Sequence, residues 1–291
     1  MKIKLLSLTL LTVGLLSCGG TKDSASEETT LENKSDMGLV SYVHGVMFSR
    51  QLKNQRLPFI NPDDLIKDFA VYKKNGLGNF NPEEGINELR NLAQKTDNFA
   101  SIEGADLDRA KSIFSQLYFD DIKQSPIANE MNFDKFEEGM VTFWKDGKTP
   151  SQDSITIFTD YMRNAVIKVG DTFLSENSKN EGIQVTPSGL QYEVLREGFG
   201  ESPTDTSKVL AHYEGTLING QKFDSSYDRG EPAEFPLSNV IPGWTEGLQL
   251  MKVGAKYKFY IPYNLGYGER GTRGIPPYST LIFTVELKDI R

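Results

Sequence analysis

One cysteine, Cys18, and two histidines, His44 and His212, serve the whole 291-residue chain. A single thiol builds neither a disulfide framework nor a multi-cysteine zinc site. Two histidines so far apart leave little for a histidine-rich metal centre or a Ser-His-Asp triad. A basic surplus is missing too: 32 Lys and Arg stand against 40 Asp and Glu, a net charge of −8. That balance argues against a general nucleic-acid binder, which needs cations to neutralise phosphates. Hydrolytic, metal and nucleic-acid functions are therefore weak candidates before any motif is read. What the chain does have is length enough for one large or two ordinary domains, with 38% hydrophobic residues, 26 Gly and 13 Pro.

Residues 1–17 have the form of an export signal. Lys2 and Lys4 precede an apolar run from Leu5 to Leu16, too short to span a bilayer as a stable helix. The run ends in Leu15-Leu16-Ser17-Cys18-Gly19, which resembles the bacterial lipobox, where cleavage precedes a lipidated Cys. Lipidation would remove the one unpaired thiol from an oxidising compartment, and acyl chains at ~0.8 kcal/mol per buried CH₂ would anchor the chain firmly. Residues 18–37 are polar, without an aromatic, and are expected to form a disordered tether.

Residues 38–182 read as helical. Asn61-Pro62-Asp63-Asp64 offers an N-cap, a proline at the first helical position and two acids for the helix dipole. Leu65, Phe69 and Tyr72 follow on one face, and Lys73-Lys74-Asn75-Gly76 supplies basic residues and a stop. A shift of 71 residues brings out a second copy: Ser41 falls on Ser112, Phe48 on Phe119, Asn61 on Asn132, Leu65 on Phe136, Phe69 on Met140, Tyr72 on Phe143 and Gly76 on Gly147. Two three-helix units are expected, over 38–95 and 106–178, the last helix being the longest. The repeat points to an internal pseudo-dimer and a monomer in solution rather than a homodimer. In it Leu65, Phe69 and Tyr72 would be covered by Phe136, Met140 and Phe143.

From Ile183 the pattern alternates. Val209, Ala211 and Tyr213, then Tyr257, Phe259 and Ile261, then Leu281, Phe283, Val285 and Leu287 mark half-buried antiparallel strands. A short helix is expected from Trp244 to Met251, entered through Pro242-Gly243. The fold class is α+β: an all-helical N-terminal domain, then an antiparallel sheet wrapped on one short helix over 183–291. His212 alternates opposite to Tyr213 and is expected to point away from any pocket; His44 is assigned no role.

Six motifs occur here in order: His212-Tyr213-Glu214-Gly215, Lys222-Phe223-Asp224-Ser225-Ser226, Val240-Ile241-Pro242-Gly243-Trp244, Gly266-Tyr267-Gly268, Gly274-Ile275-Pro276-Pro277 and Leu281 to Leu287. Together they resemble the FKBP family of macrolide-binding peptidyl-prolyl isomerases. The segment Ser41 to Ala70 is similar, more weakly, to the helical dimerisation domain of the macrophage infectivity potentiator and related envelope FKBPs. The resemblance implies Trp244 as a cavity floor, with Tyr213, Phe223, Val240, Ile241, Ile275 and Phe283 as walls. It implies Asp224 and Tyr267 as polar groups facing substrate carbonyls, and the Ile241 N–H as a donor. Catalysis is thus expected from Asp224, Tyr267, Phe223 and Tyr213, with Arg229 holding Asp224 ionised and oriented. No cofactor and no metal are implied. Two departures stand out. Ala233 occupies a position where many members carry a pocket aromatic, and the loop after Tyr267 places Arg270 and Arg273 at the cavity mouth. Both leave macrolide affinity open.

The implied function is a peptidyl-prolyl cis-trans isomerase assisting exported proteins in the bacterial cell envelope, lipid-anchored through Cys18, with outer-membrane placement expected. Its partners would be proline-containing unfolded or exported polypeptides, not nucleic acid. The alternative is an envelope chaperone or interaction module that keeps the fold as a peptide grip with little isomerase activity.

Overall fold

The structure is a computed structural model and describes residues 34–55, 60, 62–94 and 102–291. The export signal, Cys18, most of the expected tether and the Asn61 cap lie outside the described residues. The chain divides into two compact units, one ending at Met162 and the other running Arg163–Arg291.

The first unit is helical. Helix α1 spans Lys34–Gln55, α2 Pro62–Asn75, α3 Pro82–Gln94, α4 Gly104–Lys123, α5 Phe133–Asp146 and α6 Gln152–Asn177, the last continuing into the second unit. Helix α1 starts at Lys34, inside the stretch whose polar composition suggested a tether through residue 37. The punctuation of the repeat is visible in geometry. Gly76 and Gly147 both sit in the left-handed region, at φ 70 and 67. Their N–H groups donate to Tyr72 O at 2.8 Å and Phe143 O at 2.9 Å, the same stop twice. The Asn132 side chain caps α5 by accepting from Lys135 N at 3.1 Å, and Asn81 caps α3 by accepting from Glu83 N at 2.9 Å.

The two copies exchange partners. Helix α1 packs on α5, and α4 packs on α2, so the first helix of each copy lies on the second helix of the other. This is the reciprocal pattern of a two-fold interface within one chain. Phe48 meets Phe136 at a tilt, 5.5 Å away, and Tyr118 edge to face at 5.5 Å, while Phe119 meets Phe69 and Tyr72, each at 5.5 Å. The sequence-based pairing of Leu65, Phe69 and Tyr72 with Phe136, Met140 and Phe143 is therefore corrected. The α2 face is covered mainly by Phe119 of α4, and Phe136 is covered by His44 and Phe48 of α1. Apolar phase identifies which faces are buried but not which helix meets which.

The second unit holds a seven-stranded antiparallel sheet: β1 Ile183–Val185, β2 Gln191–Arg196, β3 Lys208–Leu217, β4 Lys222–Ser225, β5 Ala233–Pro236, β6 Lys256–Ile261 and β7 Leu281–Ile290. The order is β1-β2-β6-β7-β3-β4, with β5 also paired to β3. Along β3, residues alternate buried and half-buried, so Val209, Ala211, Tyr213 and Leu217 enter one core. Helix α7, Pro242–Gln249, joins that core through Trp244 and Leu248. Its approach to the sheet depends on two glycines. A Cβ on Gly243 would fall 2.6 Å from Ile261 Cγ2, and one on Gly247 would fall 2.7 Å from the Phe259 ring.

The second half of α6 belongs to this unit. Phe173 contacts Tyr260 with ring centroids 6.1 Å apart. Gln191 Nε2 donates to Leu174 O at 2.8 Å, and Asn177 Nδ2 donates to Gln191 Oε1 at 2.9 Å. The compact body thus begins at Arg163, ahead of the composition change at Ile183, because α6 carries its own apolar contact to the sheet.

Candidate functional site

Strand β3 brings Tyr213 to the face where α7 presents Trp244 and β7 presents Phe283. All three are nearly fully buried. Their rings meet edge to face: Tyr213 to Trp244 at 5.2 Å and Trp244 to Phe283 at 5.2 Å, the arrangement that ring quadrupoles favour. Phe223 on β4 adds a fourth ring, 5.4 Å from Phe283. Gly215 makes room for it, since a Cβ there would fall 2.6 Å from the Phe223 ring and 2.7 Å from the Phe283 ring. Val240 and Ile241 lead into α7 and pack against the same cluster, and Ile275 is buried within it. The Trp244 indole Nε1 is buried with no partner among the described residues. Most buried donors are satisfied; this one lies in the floor of the aromatic cluster.

The polar rim is built on the turn after β4. Ser226 is fully buried and latches this turn to β3: its N–H donates to Tyr213 O at 2.9 Å, and its hydroxyl accepts from Tyr213 N at 2.8 Å. Held there, Asp224 accepts from the Tyr213 hydroxyl, from Arg229 Nη1 at 2.6 Å and from Ser225 N at 2.9 Å. Arg229 Nη2 also donates to the Tyr213 hydroxyl at 2.7 Å. Burial alone would raise the Asp224 carboxyl, but the Tyr213 and Arg229 hydrogen bonds and the Arg229 charge outweigh it and hold the group below its ordinary range. Burial, then the Asp224 charge, pushes the Tyr267 phenol up, so Tyr267 remains a hydroxyl donor. Ile241 is the N-cap of α7, with Pro242 behind it. Its N–H donates to no group among the described residues, while its carbonyl accepts from Trp244 N at 2.9 Å.

The structure brings Tyr213, Phe223, Asp224, Arg229, Trp244, Ile275 and Phe283 together, with Val240 and Ile241 at the edge. Tyr267, on the loop after β6, is 38% exposed and makes no hydrogen bond among the described residues, but it lies near enough to Asp224 to feel that charge. His212 is turned from the cluster: Nδ1 lies 3.1 Å from Ser226 Oγ, and its ring stacks on Tyr227 at 4.6 Å. Two contributors escaped the sequence reading. Phe235 on β5 braces Tyr213 at 5.6 Å and Trp244 at 5.3 Å, supplying an aromatic two residues beyond Ala233. The period-two spacing of Ala233 and Phe235 was its signal. Ser226 was read only as part of a motif; nothing in composition marks it as the latch. A separate cavity of about 310 Å³ lies between α2 and α4, lined by acids and lysines such as Asp64, Asp68, Asp108 and Lys111. It has no aromatic wall and reads as a solvated groove.

The rings of Tyr213, Phe223, Trp244 and Phe283 thus form one apolar cluster with a single oriented carboxylate, Asp224, beside it. Comparison with known proteins places this part of the chain among others. Residues 200–288 match the family model of the FKBP-type peptidyl-prolyl cis-trans isomerase. Residues 112–194 match that of the domain amino-terminal to FKBP-type peptidyl-prolyl isomerase. An FKBP-type peptidyl-prolyl cis-trans isomerase FkpA from Aeromonas hydrophila is 57% identical over 120 residues, 41% of this chain and 45% of that protein. The FKBP-type 22 kDa peptidyl-prolyl cis-trans isomerase of Escherichia coli K12 is 54% identical over 127 residues, 43% of this chain and 62% of that protein. The chain thus spans 45% and 62% of the lengths of these two relatives. The crystal structure of FkpA from Escherichia coli is 33% identical, covering 66% of this chain and 99% of that one, with a TM-score of 0.43. Residues 112–194 and 200–288 thus belong to the two domains of the FKBP-type peptidyl-prolyl isomerase family.

Proposed function

We propose that this chain is a peptidyl-prolyl cis-trans isomerase acting on exported, proline-containing polypeptides in the bacterial cell envelope. The observation that carries it is the edge-to-face cluster of Tyr213, Trp244 and Phe283 beside an Asp224 fixed by Arg229. Rotation about an X-Pro bond needs no acid, base or nucleophile. It needs relief from a resonance barrier of ~18–20 kcal/mol. The planar imide is polarised and well hydrated; the twisted form has lost its resonance. A cavity that excludes water favours the twisted form. The free Ile241 N–H and the Tyr267 hydroxyl are the donors for substrate carbonyls, and Arg229 keeps Asp224 ionised at the cavity edge. The test is an X-Pro isomerisation assay on the full mature chain beside Phe223→Ala. Acceleration by the chain and a loss of at least ~10-fold in the variant are expected, ~1.4 kcal/mol in the barrier. A folded chain without acceleration, or equal rates for both, would overturn the proposal.

The finer features are proposed on separate grounds. Lipidation at Cys18 rests on Leu15-Leu16-Ser17-Cys18 and its flanks. Cys18→Ala should release the protein from the membrane fraction, with outer-membrane placement read by fractionation. A monomer in solution rests on the α1–α5 and α4–α2 exchange, in which the two copies cover each other's apolar faces within one chain. Closing a short loop is entropically milder than associating two chains. Light scattering on the lipid-free form should give the mass of one chain.

A further inference from the structure

Tyr267 makes no hydrogen bond of its own among the described residues and is 38% exposed, so its place at the cavity depends on its main chain. That main chain is pinned on both sides by two tyrosines. Tyr263 O accepts from Gly266 N at 3.0 Å and from Gly268 N at 2.9 Å. Gly268 O accepts from Tyr278 N at 2.9 Å, closing the base of the loop that also carries Ile275. The rings of Tyr263 and Tyr278 meet edge to face at 5.4 Å.

Tyr278 does this at φ 60, the one non-glycine with positive φ among the described residues. The left-handed region is disfavoured for any residue with a Cβ, and such a residue persists where its surroundings over-determine it. Here the side chain is 9% exposed. Helix α6 lies against the same loop, since a Cβ on Gly170 would fall 2.5 Å from Thr280 Oγ1, and the Arg163 guanidinium two turns earlier on α6 acts on the Tyr278 hydroxyl. Arg163 belongs to the half of α6 that is held to the sheet through Phe173 on Tyr260 and through Gln191 on Leu174 O. The phenol thus links the loop to a braced helix, which a glycine at this position, free to adopt the same φ, would not do.

We propose that Tyr278, anchored by Arg163 of α6, is a positioning residue for the isomerase site: it fixes the loop so that Tyr267 and Ile275 stand at the cavity. The inference rests on the isomerase reading and deepens it, giving the second half of α6 a part in catalysis beyond folding.

The test uses Tyr278→Phe, Arg163→Ala and the double variant in the full chain, with two readouts. In X-Pro isomerisation, each single variant should lose ~3- to 10-fold in kcat with KM within twofold, because misplacement of positioned groups costs rate rather than uniform binding. The double variant should be no worse than the worse single one, as expected for two ends of one contact, and Arg163→Lys should recover most of the rate. In hydrogen exchange, the Tyr278 amide should exchange at least ~10-fold faster in both single variants while the Phe259 amide is unchanged, which separates local loosening from global unfolding. Wild-type kcat in both single variants overturns the proposal, as does unchanged Tyr278 exchange. If the wild-type chain proves inactive, the isomerase reading falls, and the exchange data alone decide whether Arg163 fixes the loop.

Discussion

Gly45 on α1 and Gly139 on α5 stand at one crossing: a Cβ on Gly45 would fall 1.8 Å from Phe136 O, and one on Gly139 would fall 2.1 Å from Tyr42 O. The obstruction is main chain in both cases, so no rotamer change relieves it. At the repeat-related crossing of α4 and α2, the 71-residue shift puts Gln116 and Asp68 in these places. There the helices leave room for the groove lined by Asp68 and Ser112. The pseudo-symmetry is therefore broken, one crossing closed on glycine and one open. Gly45→Ala should destabilise the helical unit by at least ~3 kcal/mol, at the upper end of overpacking costs. Gln116→Ala should stay within ~1 kcal/mol. Urea unfolding followed by circular dichroism measures both, and equal effects would contradict the asymmetry.

Arg229 donates to both Asp224 and Tyr213, so its removal should act through the carboxylate. Asp224→Ala should lower kcat/KM by at least ~10-fold, and Arg229→Ala by a smaller factor. The sign of the pH effect is set by the downward shift of Asp224. Ionised Asp224 is present above its ordinary range and is lost only as pH falls below it. Without Arg229 the acidic limb of the kcat/KM profile should move to higher pH. Arg229→Lys should restore part of the shift but not the two-pronged bond. A profile unmoved in Arg229→Ala would remove Arg229 from the site.

His44 is fully buried between Phe136 and Phe158, with Nδ1 unpartnered among the described residues. Desolvation lowers it to about 4. The unfolded chain takes up its proton near pH 6.5 while the folded chain does not, so this group costs stability as pH falls from 6.5 to about 4, and nothing further below. The full effect is roughly 3 kcal/mol. Asp121 on α4 opposes it. Burial, then the Asp120 charge, pushes Asp121 up to about 8, so its neutral form stabilises the fold as pH drops from 8 toward 4. Asp121 is half-buried, and solvent screens part of that gain. The two slopes overlap between pH 4 and 6.5, and the wild-type curve is a poor gauge of either. The difference between His44→Phe and wild type isolates His44: it should shift in favour of the variant as pH falls from 6.5 to 4. A difference independent of pH would show that His44 is reached by protons in the folded state.

Much of this architecture is legible from residues. The caps at Asn81 and Asn132 and the stops at Gly76 and Gly147 follow from side-chain oxygens and from a missing Cβ, which act over three or four residues. Tyr213, Phe223, Trp244, Phe283 and Arg229 were placed by the family resemblance that the order of the motifs carries. The partner exchange of α1 with α5 was not legible, because apolar phase is identical whichever helix covers it. Nor was the α6 contribution to the sheet unit: Phe173 and Leu174 continue the helical period of the preceding residues, and nothing in that period announces a change of partner. Ser226 and Phe235 act through geometry that forms only when β3, β4 and β5 are assembled.

The position of α6 gives a sharper expectation for truncation. A chain beginning at Ile183 keeps all seven strands but loses Leu174 and Asn177, the two partners of Gln191. Gln191 is 5% exposed with α6 in place; without α6 its amide passes to water, and two intramolecular hydrogen bonds worth ~0.5–1.5 kcal/mol each are lost. Loss of the Phe173 contact uncovers part of the Tyr260 ring as well. For a domain of this size each kcal/mol is worth roughly 4–8 °C in Tm. A chain starting at Arg163 should therefore melt at least ~8 °C above one starting at Ile183, with both two-state in calorimetry. Gln191→Leu should narrow the gap, since the longer chain then also lacks the two hydrogen bonds to α6. Coincident melting of the two chains would mean that α6 lies on the sheet without stabilising it.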